Sequence, residues 1–474
     1  MSVEKKQRKR KTKFVVFAVL LLTIAILPWC ILAVRGASSN DIMEVTNISE
    51  NEPQPNESIP REEHPEHETI SENTPQLELD SEIEQELEPV LEPDDLFLDI
   101  ETIAPEVKIE LDRLSLRYNC AAVSLVVYDG NKREFYTYQY GYADRNLRIP
   151  VDIETKFRVA SLSKLTTILV AMVLVDRGDL DLDKDISEYL EYATRSPRFR
   201  DVAITSRMLM QHTSSIFDSD SFLSSRYGNS TRSTQQLLEA GSSYRRREPG
   251  ARFEYTNFGI SVLAAVCEKI SGKTFDQLAR EVLFEPLGID AAYVPARLHD
   301  TENIAIIYNS SHAVSRSVRT QLSVLDSDDI GHDHHLAQGN LTISAVDYAK
   351  ILAMLTSDGQ YRNTEILSTE SVKAIHDTNV HGTGYAQGLA TRLSTVYFMP
   401  GGMAFWHTGS SYGELTQYIY SSDNSNKGIV VITTGATTNR SSDGMLVVCT
   451  AMSEAAWEVL NNVPLVGFNS SSRR

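Results

Sequence analysis

Ser161 and Lys164 lie two spacers apart in FRVASLSKLT (residues 157–166). On a helix, side chains three positions apart share a face, with Cβ atoms about 5–6 Å apart. A lysine there can reach the serine hydroxyl and take its proton, provided partial burial lowers the amine's pKa. The pair alone is weak evidence, since Ser2-x-x-Lys5 repeats it in a basic tail. Tyr255-x-Asn257, within EPGARFEYTNFGISVLAA (248–265), stands where an irregular stretch enters a helical pattern. A phenol there can relay a proton, and a carboxamide can donate to a substrate carbonyl while accepting from the lysine. A core tyrosine beside a helix-capping asparagine is the structural alternative, and Tyr227-x-Asn229 has the same spacing with no helix after it. The third stretch is FWHTGS (405–410). Thr408 and Gly409 on an edge strand would let a substrate backbone lie alongside, and His407 could orient a substrate carboxylate.

These groups are about 90 and 150 residues apart, so only long-range structure can assemble them. Val107–Tyr118 has helical spacing, and Ala121–Tyr128 and Glu134–Gly141 read as strands across the turn Asp129-Gly130-Asn131. Helical patterns then dominate, at 161–177, 204–212, 257–271, 274–284 and 343–357. Strand patterns return at 413–420 and 428–434, and Ser442–Leu460 closes as a helix. Strands at both ends and helices between predict an α/β fold plus an all-α lobe: one antiparallel sheet built from both chain ends and flanked by helices. The inserted helical lobe would leave a cleft along the junction.

The order S-x-x-K, Y-x-N, H-T-G resembles class C β-lactamases and the related penicillin-recognising serine hydrolases, which include DD-peptidases, D-aminopeptidases and esterases. Flanking phrases carry the same resemblance: LMQHTSSI (209–216), PGARFEYTNFGISVLA (249–264), QGNLTISAVDYAKIL (338–352) and GYAQGLA (384–390). It covers about residues 105–462 and implies a β-lactamase/DD-peptidase-like fold. By this resemblance Ser161 is the acylated nucleophile, Lys164 its proton partner and Tyr255 the other proton shuttle. Asn257 binds the substrate amide, and His407, Thr408 and Gly409 line the substrate strand. Backbone N–H groups of Ser161 and Ser410 form the oxyanion hole, with no metal or cofactor implied. The chain also departs from the family pattern. His407 replaces the lysine of β-lactamases and many carboxypeptidases, and an imidazole titrating near 6.5 is mostly neutral at pH 7. Carboxylate anchoring should then be weaker and pH-dependent. Ser214 stands where the family phrase usually has Gly, and Ser410 where many relatives have a second Gly.

The net charge of −19 belongs to one segment. Residues 41–100 hold 20 Asp/Glu against Arg61 alone, while residues 1–40 hold eight Lys/Arg against Glu4. Residues 1–13 read as a basic cytoplasmic tail. Phe14–Val34 carries no charge over 21 residues, enough to cross about 30 Å of hydrocarbon as a helix, with the basic flank held inside. The run is too long for a signal-peptide apolar region. Residues 35–104, rich in Glu and Pro, read as a disordered stalk, residues 105–462 as the catalytic domain and 463–474 as a tail. Cys120, Cys267 and Cys449 sit among apolar neighbours as buried thiols, with one bridge among them left open. Consecutive residues such as His332-Asp333-His334-His335 rarely converge on one metal ion. The Arg245-Arg246-Arg247 run is too short to bind nucleic acid.

The expected protein is a membrane-anchored extracytoplasmic serine hydrolase, DD-peptidase-like, acting through an acyl-enzyme on D-residue-containing peptides or amides. A small peptide, amide or ester is the expected partner, beside the membrane itself. An esterase is the second enzymatic expectation, and a catalytically silent sensor or scaffold for wall fragments is the non-enzymatic one.

Overall fold

A computed structural model describes residues 94–227, 232–325, 329–332, 336–437 and 439–462. The basic tail, the apolar run 14–34, most of the stalk and the tail 463–474 lie outside the described residues. No described helix is long and apolar enough to cross a membrane.

Among the described residues the sheet has ten strands: β1 (Leu96–Asp99), β2 (Ala122–Asp129), β3 (Glu134–Asp144), β4 (Val380–His381), β5 (Ala386–Gln387), β6 (Arg392–Thr395), β7 (Met403–Ser411), β8 (Glu414–Ser421), β9 (Lys427–Thr434) and the short Ile149–Pro150 beside β3. Their order is β1-β3-β2-β9-β8-β7-β6-β5-β4. The two ends of the chain meet at β2 and β9, antiparallel from Ala122 opposite Thr434 to Asp129 opposite Lys427. Two expectations need correction. The sheet is mixed, because β1 runs parallel to β3 while the other pairs are antiparallel. The stalk expected over 35–104 also gives up its last residues, since Leu96–Asp99 covers the edge of β3 and Ile100 is fully buried. The acidic neighbours hid the apolar run LFLDI, whose burial is what counts.

Alternation sorts the strand residues onto two faces. Val123, Leu125 and Val127 of β2, with Ile429 and Val431 of β9, meet Leu111 and Leu114 of α1 (Pro105–Arg117) and Cys449 and Met452 of α5 (Val447–Trp457). The intervening Val126, Tyr128, Val430 and Ile432 face Ile351, Leu352 and Leu355 of α4 (Ala345–Thr356). Both faces are therefore covered, and the central strands read as continuous apolar runs.

Two further helices carry the site. The first, α2 (Ser163–Asp176), is buried from Ser163 through Leu174. It is apolar all round because it runs through the helical lobe rather than over its surface. The second, α3 (Asn257–Ser271), matches its predicted limits: the Thr256 hydroxyl caps Gly259 N–H, and Gly272 ends it at φ 67°. The other expected elements fall within a few residues of their predicted limits. The pattern at 274–284 divides into a helix, Phe275–Ala279, and a wider π-type turn, Arg280–Phe284.

Cys120, Cys267 and Cys449 are buried and unpaired, which resolves the open question of a bridge. Burial pushes the Cys120 thiol up to about 12. A thiol reagent such as dithionitrobenzoate should therefore leave these three unmodified in the native protein and modify all of them in denaturant. Rapid native reaction at any of the three would contradict the packing.

Candidate active site

The placement of Ser161 starts with an unusual backbone. Ala160 holds φ 49°, a left-handed value that costs a residue with a Cβ about 1–3 kcal/mol. It opens a tight turn, Ala160–Leu162, that feeds directly into α2. Ser163 Oγ donates to Ala160 O at 2.6 Å and accepts from Leu341 N at 3.0 Å, tying the turn to the loop ahead of α4. Ser161 is left half-exposed at the floor of a cavity of about 400 Å³, while Lys164 one turn on is only 2% exposed.

The lysine amine is the hub. Its Nζ lies 3.2 Å from Ser161 Oγ, 2.8 Å from Asn257 Oδ1 and 2.6 Å from Gln338 O. The last two oxygens can only accept, so they fix two N–H directions and leave the third position of nitrogen facing the serine hydroxyl. An amine so held can present its lone pair to Ser161. Asn257 is oriented from behind by Asp218, whose Oδ2 accepts from Asn257 Nδ2 at 2.6 Å. Asp218 Oδ1 also accepts from the N–H groups of Asn257 and Phe258 and from the Thr256 hydroxyl, at 2.8–2.9 Å. One carboxylate thus holds the N-terminus of α3 and decides which way the Asn257 amide points. The second Nδ2 hydrogen stays available for a substrate carbonyl.

Tyr255 lines the same cavity, its ring centroid 5.1 Å from Lys164 Nζ. His212 packs at 4.7 Å from that ring, and its Nδ1 accepts from Thr256 N at 3.4 Å, a structural role. Arg245 and Arg247 both pair with Glu254, so the basic run clamps the segment leading into Tyr255. Left-handed backbone in the LMQHTSSI phrase falls on His212 at φ 58° and Ser215 at φ 69°, on either side of Thr213 and Ser214.

Opposite Ser161 runs β7, which is not an edge strand throughout. β6 pairs with Met403 through Trp406, and beyond that point the β7 edge facing β6 is open. His407, Thr408, Ser410 and Ser411 line the cavity along this open edge. Gly409 is required by proximity: a Cβ there would fall 2.2 Å from Thr416 Oγ1, 2.6 Å from Val159 O and 3.1 Å from Ser161 N. The missing side chain is what lets β7 lie against the Ala160–Leu162 turn, bringing the Ser161 and Ser410 backbones together.

His407 behaves differently from the sequence expectation. It is 4% exposed; burial first, then the charges of Arg392 and Lys164, hold it well below its usual value. It is neutral throughout the physiological range, so it contributes no titration near 6.5. Its Nδ1 sits 2.9 Å from Thr408 O, and since a carbonyl only accepts, Nδ1 carries the hydrogen. Charge instead comes from arginines that no local motif flagged. Arg158, Arg392 and Arg440 line the cavity. Arg158 is neutralised by the buried Glu414 at 3.1 Å, whose carboxyl burial pushes up to about 7. Arg440 donates to Thr408 Oγ1 at 3.0 Å and Gly444 O at 2.7 Å. Asp218 and Gln338 also escaped sequence reasoning, because each acts through a partner far away in the chain. Among the described residues no group of three or more His, Cys, Asp or Glu is placed to hold a metal.

The Beta-lactamase family profile matches residues 94–450. The chain belongs to this Beta-lactamase family. Among curated relatives, D-alanyl-D-alanine-carboxypeptidase/endopeptidase AmpH of Escherichia coli (strain K12) is 30% identical over 189 residues, 39% of this chain and 48% of that protein. Esterase EstB of Burkholderia gladioli is 26% identical over 248 residues, 49% of this chain and 62% of EstB. The match thus spans about half the length of the first of these relatives. A class C β-lactamase structure superposes with TM-score 0.59 at 18% identity, covering 76% of this chain and 97% of that one, which supports the Beta-lactamase fold.

Two outcomes test this geometry. Gly409→Ala should displace β7 from Ser161 and lower kcat/KM about 10²-fold, measured on any turned-over ester or peptide. Wild-type kinetics would show that the close approach is dispensable. The second concerns pH. His212 and His407 are held well below 6.5 by burial, and His376 is held to about 4. The unfolded chain takes up protons at these groups as pH falls through 6.5, so the stability they contribute above that value is lost below it. Glu414, raised to about 7, acts with the opposite sign between 7 and its unfolded value, but one carboxyl faces three imidazoles. Unfolding free energy should fall by about 3 kcal/mol per unit between pH 6 and 5, read by urea denaturation, and His407→Gln should flatten the slope.

Proposed function

We propose that this chain is a membrane-anchored, outward-facing serine hydrolase that acts through an acyl-enzyme on Ser161. The observation that carries the chemistry is the Lys164 amine, hydrogen-bonded at once to Ser161 and Asn257 in a cavity that Tyr255 also lines. Lys164 takes the Ser161 Oγ proton while Oγ bonds to the substrate carbonyl carbon and the carbonyl π pair moves onto oxygen. The N–H groups of Ser161 and Ser410 stabilise that oxyanion, a contribution worth about 3–4 kcal/mol per donor in related acyl transfers. As the pair returns, the bond to the leaving nitrogen or oxygen breaks, and Tyr255 delivers its proton, replaced from Lys164. Water then attacks the acyl carbon, giving its proton to Tyr255 as the phenol passes its own to the neutral Lys164; as the carbonyl re-forms, the bond to Ser161 Oγ breaks, Lys164 returns the proton to Oγ, and the acid leaves.

The substrate reading is a peptide or amide carrying D-residues, such as a cell-wall stem peptide. The carboxypeptidase/endopeptidase relative supports it, as does the sequence of residues 1–104, which reads as basic tail, apolar span and acidic stalk and would hold the domain beside the wall. An esterase of small acyl substrates is the second reading. The neutral His407 in place of a charged lysine favours it, as does the EstB relative.

A fluorophosphonate or penicillin probe should give a single adduct, mapped by mass spectrometry to the peptide containing Ser161. Ser161→Ala should remove the label and lower kcat/KM by about 10⁴-fold or more, with the melting temperature little changed. Retained activity in that variant would exclude the nucleophile. Ester turnover with D-Ala-D-Ala peptides at background would select the esterase reading.

A further inference from the structure

A second cavity, of about 560 Å³, lies between the end of α1 and the end of β3. Leu116, Tyr140, Tyr142 and Pro150 give it apolar walls, Arg145 and His312 can bring positive charge, and none of its lining residues is acidic. The surface around it combines two features. Apolar side chains stand in solvent on separate elements: Leu116 of α1 is 71% exposed, and Leu147, in the turn after β3, is 73% exposed. Tyr142 and Ile149 are exposed on the same hairpin. Val314 is exposed on the neighbouring hairpin Ile307–Arg316, which His312 Nε2 ties to Asn119 O at 2.7 Å.

Arginines are interleaved with these groups. Arg117, Arg145 and Arg148 are exposed, and among the described residues none of the three forms an ion pair. The carboxylates close to them in sequence are engaged elsewhere. Glu110 pairs with Arg113 and Asp112 with Lys108, while Asp144 Oδ1 accepts from the N–H groups of Asn146 and Leu147 at 2.8 and 3.0 Å. Arg148 also holds φ 55°, so a cation stands where the backbone favours glycine or asparagine.

An exposed apolar patch rimmed by polar groups marks a surface that meets something, and charge discriminates between the occupants. A two-fold contact with a second copy would set this face against itself and oppose arginine to arginine. A purely anionic polymer would meet the arginines and leave Leu116 and Leu147 in water. A bilayer with anionic lipids satisfies both. Lipid phosphates meet the guanidinium groups, and the apolar side chains enter the boundary between headgroups and acyl chains, a level that also favours tyrosine. We propose that the face carrying Leu116, Leu147, Arg117, Arg145 and Arg148 docks this domain on an anionic membrane surface. The inference goes beyond the hydrolase reading and does not depend on it. The face shares one end of the sheet with the active-site cleft: Gly141 pairs with Ala122, Ala122 with Thr434, Thr434 with Glu414 and Glu414 with Ser411. Docking would therefore hold Ser411, which lines the cleft, about 19 Å across the sheet from the docked hairpin.

The test reads contact at residue 147, so insertion elsewhere in the chain does not enter it. The full chain carrying Cys30→Ser and Leu147→Cys is labelled with the fluorophore NBD at position 147, the other three cysteines being buried. It is added to vesicles of phosphatidylcholine alone, or of phosphatidylcholine mixed with anionic phosphatidylglycerol. On the mixed vesicles the emission should shift to the blue, and aqueous iodide should lose access to the label. The same label placed through Lys132→Cys, at the opposite end of the β2–β3 hairpin and about 23 Å along β2, should stay open to iodide. Arg145→Gln and Arg148→Gln should each weaken the contact roughly fivefold, and added salt should weaken it too. Equal iodide access at 147 and 132 would overturn the proposal. So would equal shielding on phosphatidylcholine alone, or shielding that neither the arginine substitutions nor salt reduce. Shielding without vesicles that grows with protein concentration would assign the face to a second copy and overturn it as well. Shielding on anionic vesicles in a chain that no acylating probe labels would keep the membrane face and remove the hydrolase reading.

Discussion

A single amine organises this molecule's candidate active site. Lys164 Nζ is held by Asn257 Oδ1 from the start of α3 and by the Gln338 carbonyl from the loop ahead of α4, and it meets Ser161 within its own segment. Three separate parts of the chain must be in register for those contacts to coexist. Because two of the three partners are pure acceptors, the arrangement fixes the nitrogen's orientation as well as its position. The burial of α2 on every side follows from the same demand. An amine can be held this way only on an element that solvent does not reach.

The sheet supplies the other half of the cavity, and it can do so because it is sewn from both chain ends. β2 and β3 come early, β7 to β9 late, and the β2–β9 ladder closes the gap between them. The whole helical lobe is thereby inserted between strands of one sheet. Its Ala160–Leu162 turn, which carries Ser161, is pressed against β7 at Gly409, the position where no Cβ fits. Ala160 absorbs the local strain of that approach with its left-handed backbone.

Charge is distributed differently from what local motifs suggest. The imidazole at 407 is buried and neutral, while Arg158, Arg392 and Arg440 reach the same cavity from other segments. Among the described residues only Arg158 of these three finds a counter-charge, in Glu414. The chain's net negative charge is concentrated in residues 41–100, of which only the last few join the sheet, so it does not describe the site's electrostatics.

Composition, spacing and periodicity determined a good deal by themselves. The candidate quartet Ser161, Lys164, Tyr255 and Asn257, which the structure brings together, was legible because each pair is separated by only one or two spacers and sits beside a helical pattern. The limits of α3 were legible because Thr256 and Gly272 are local signals. β1 was not, because its four residues sit among acids and prolines and acquire meaning only against β3. The roles of Asp218, Gln338 and Arg392 were decided by tertiary structure alone. Each works through a neighbour tens or hundreds of residues away, and hydrogen bonding, burial and ring contact depend on distances in space that residue order does not encode.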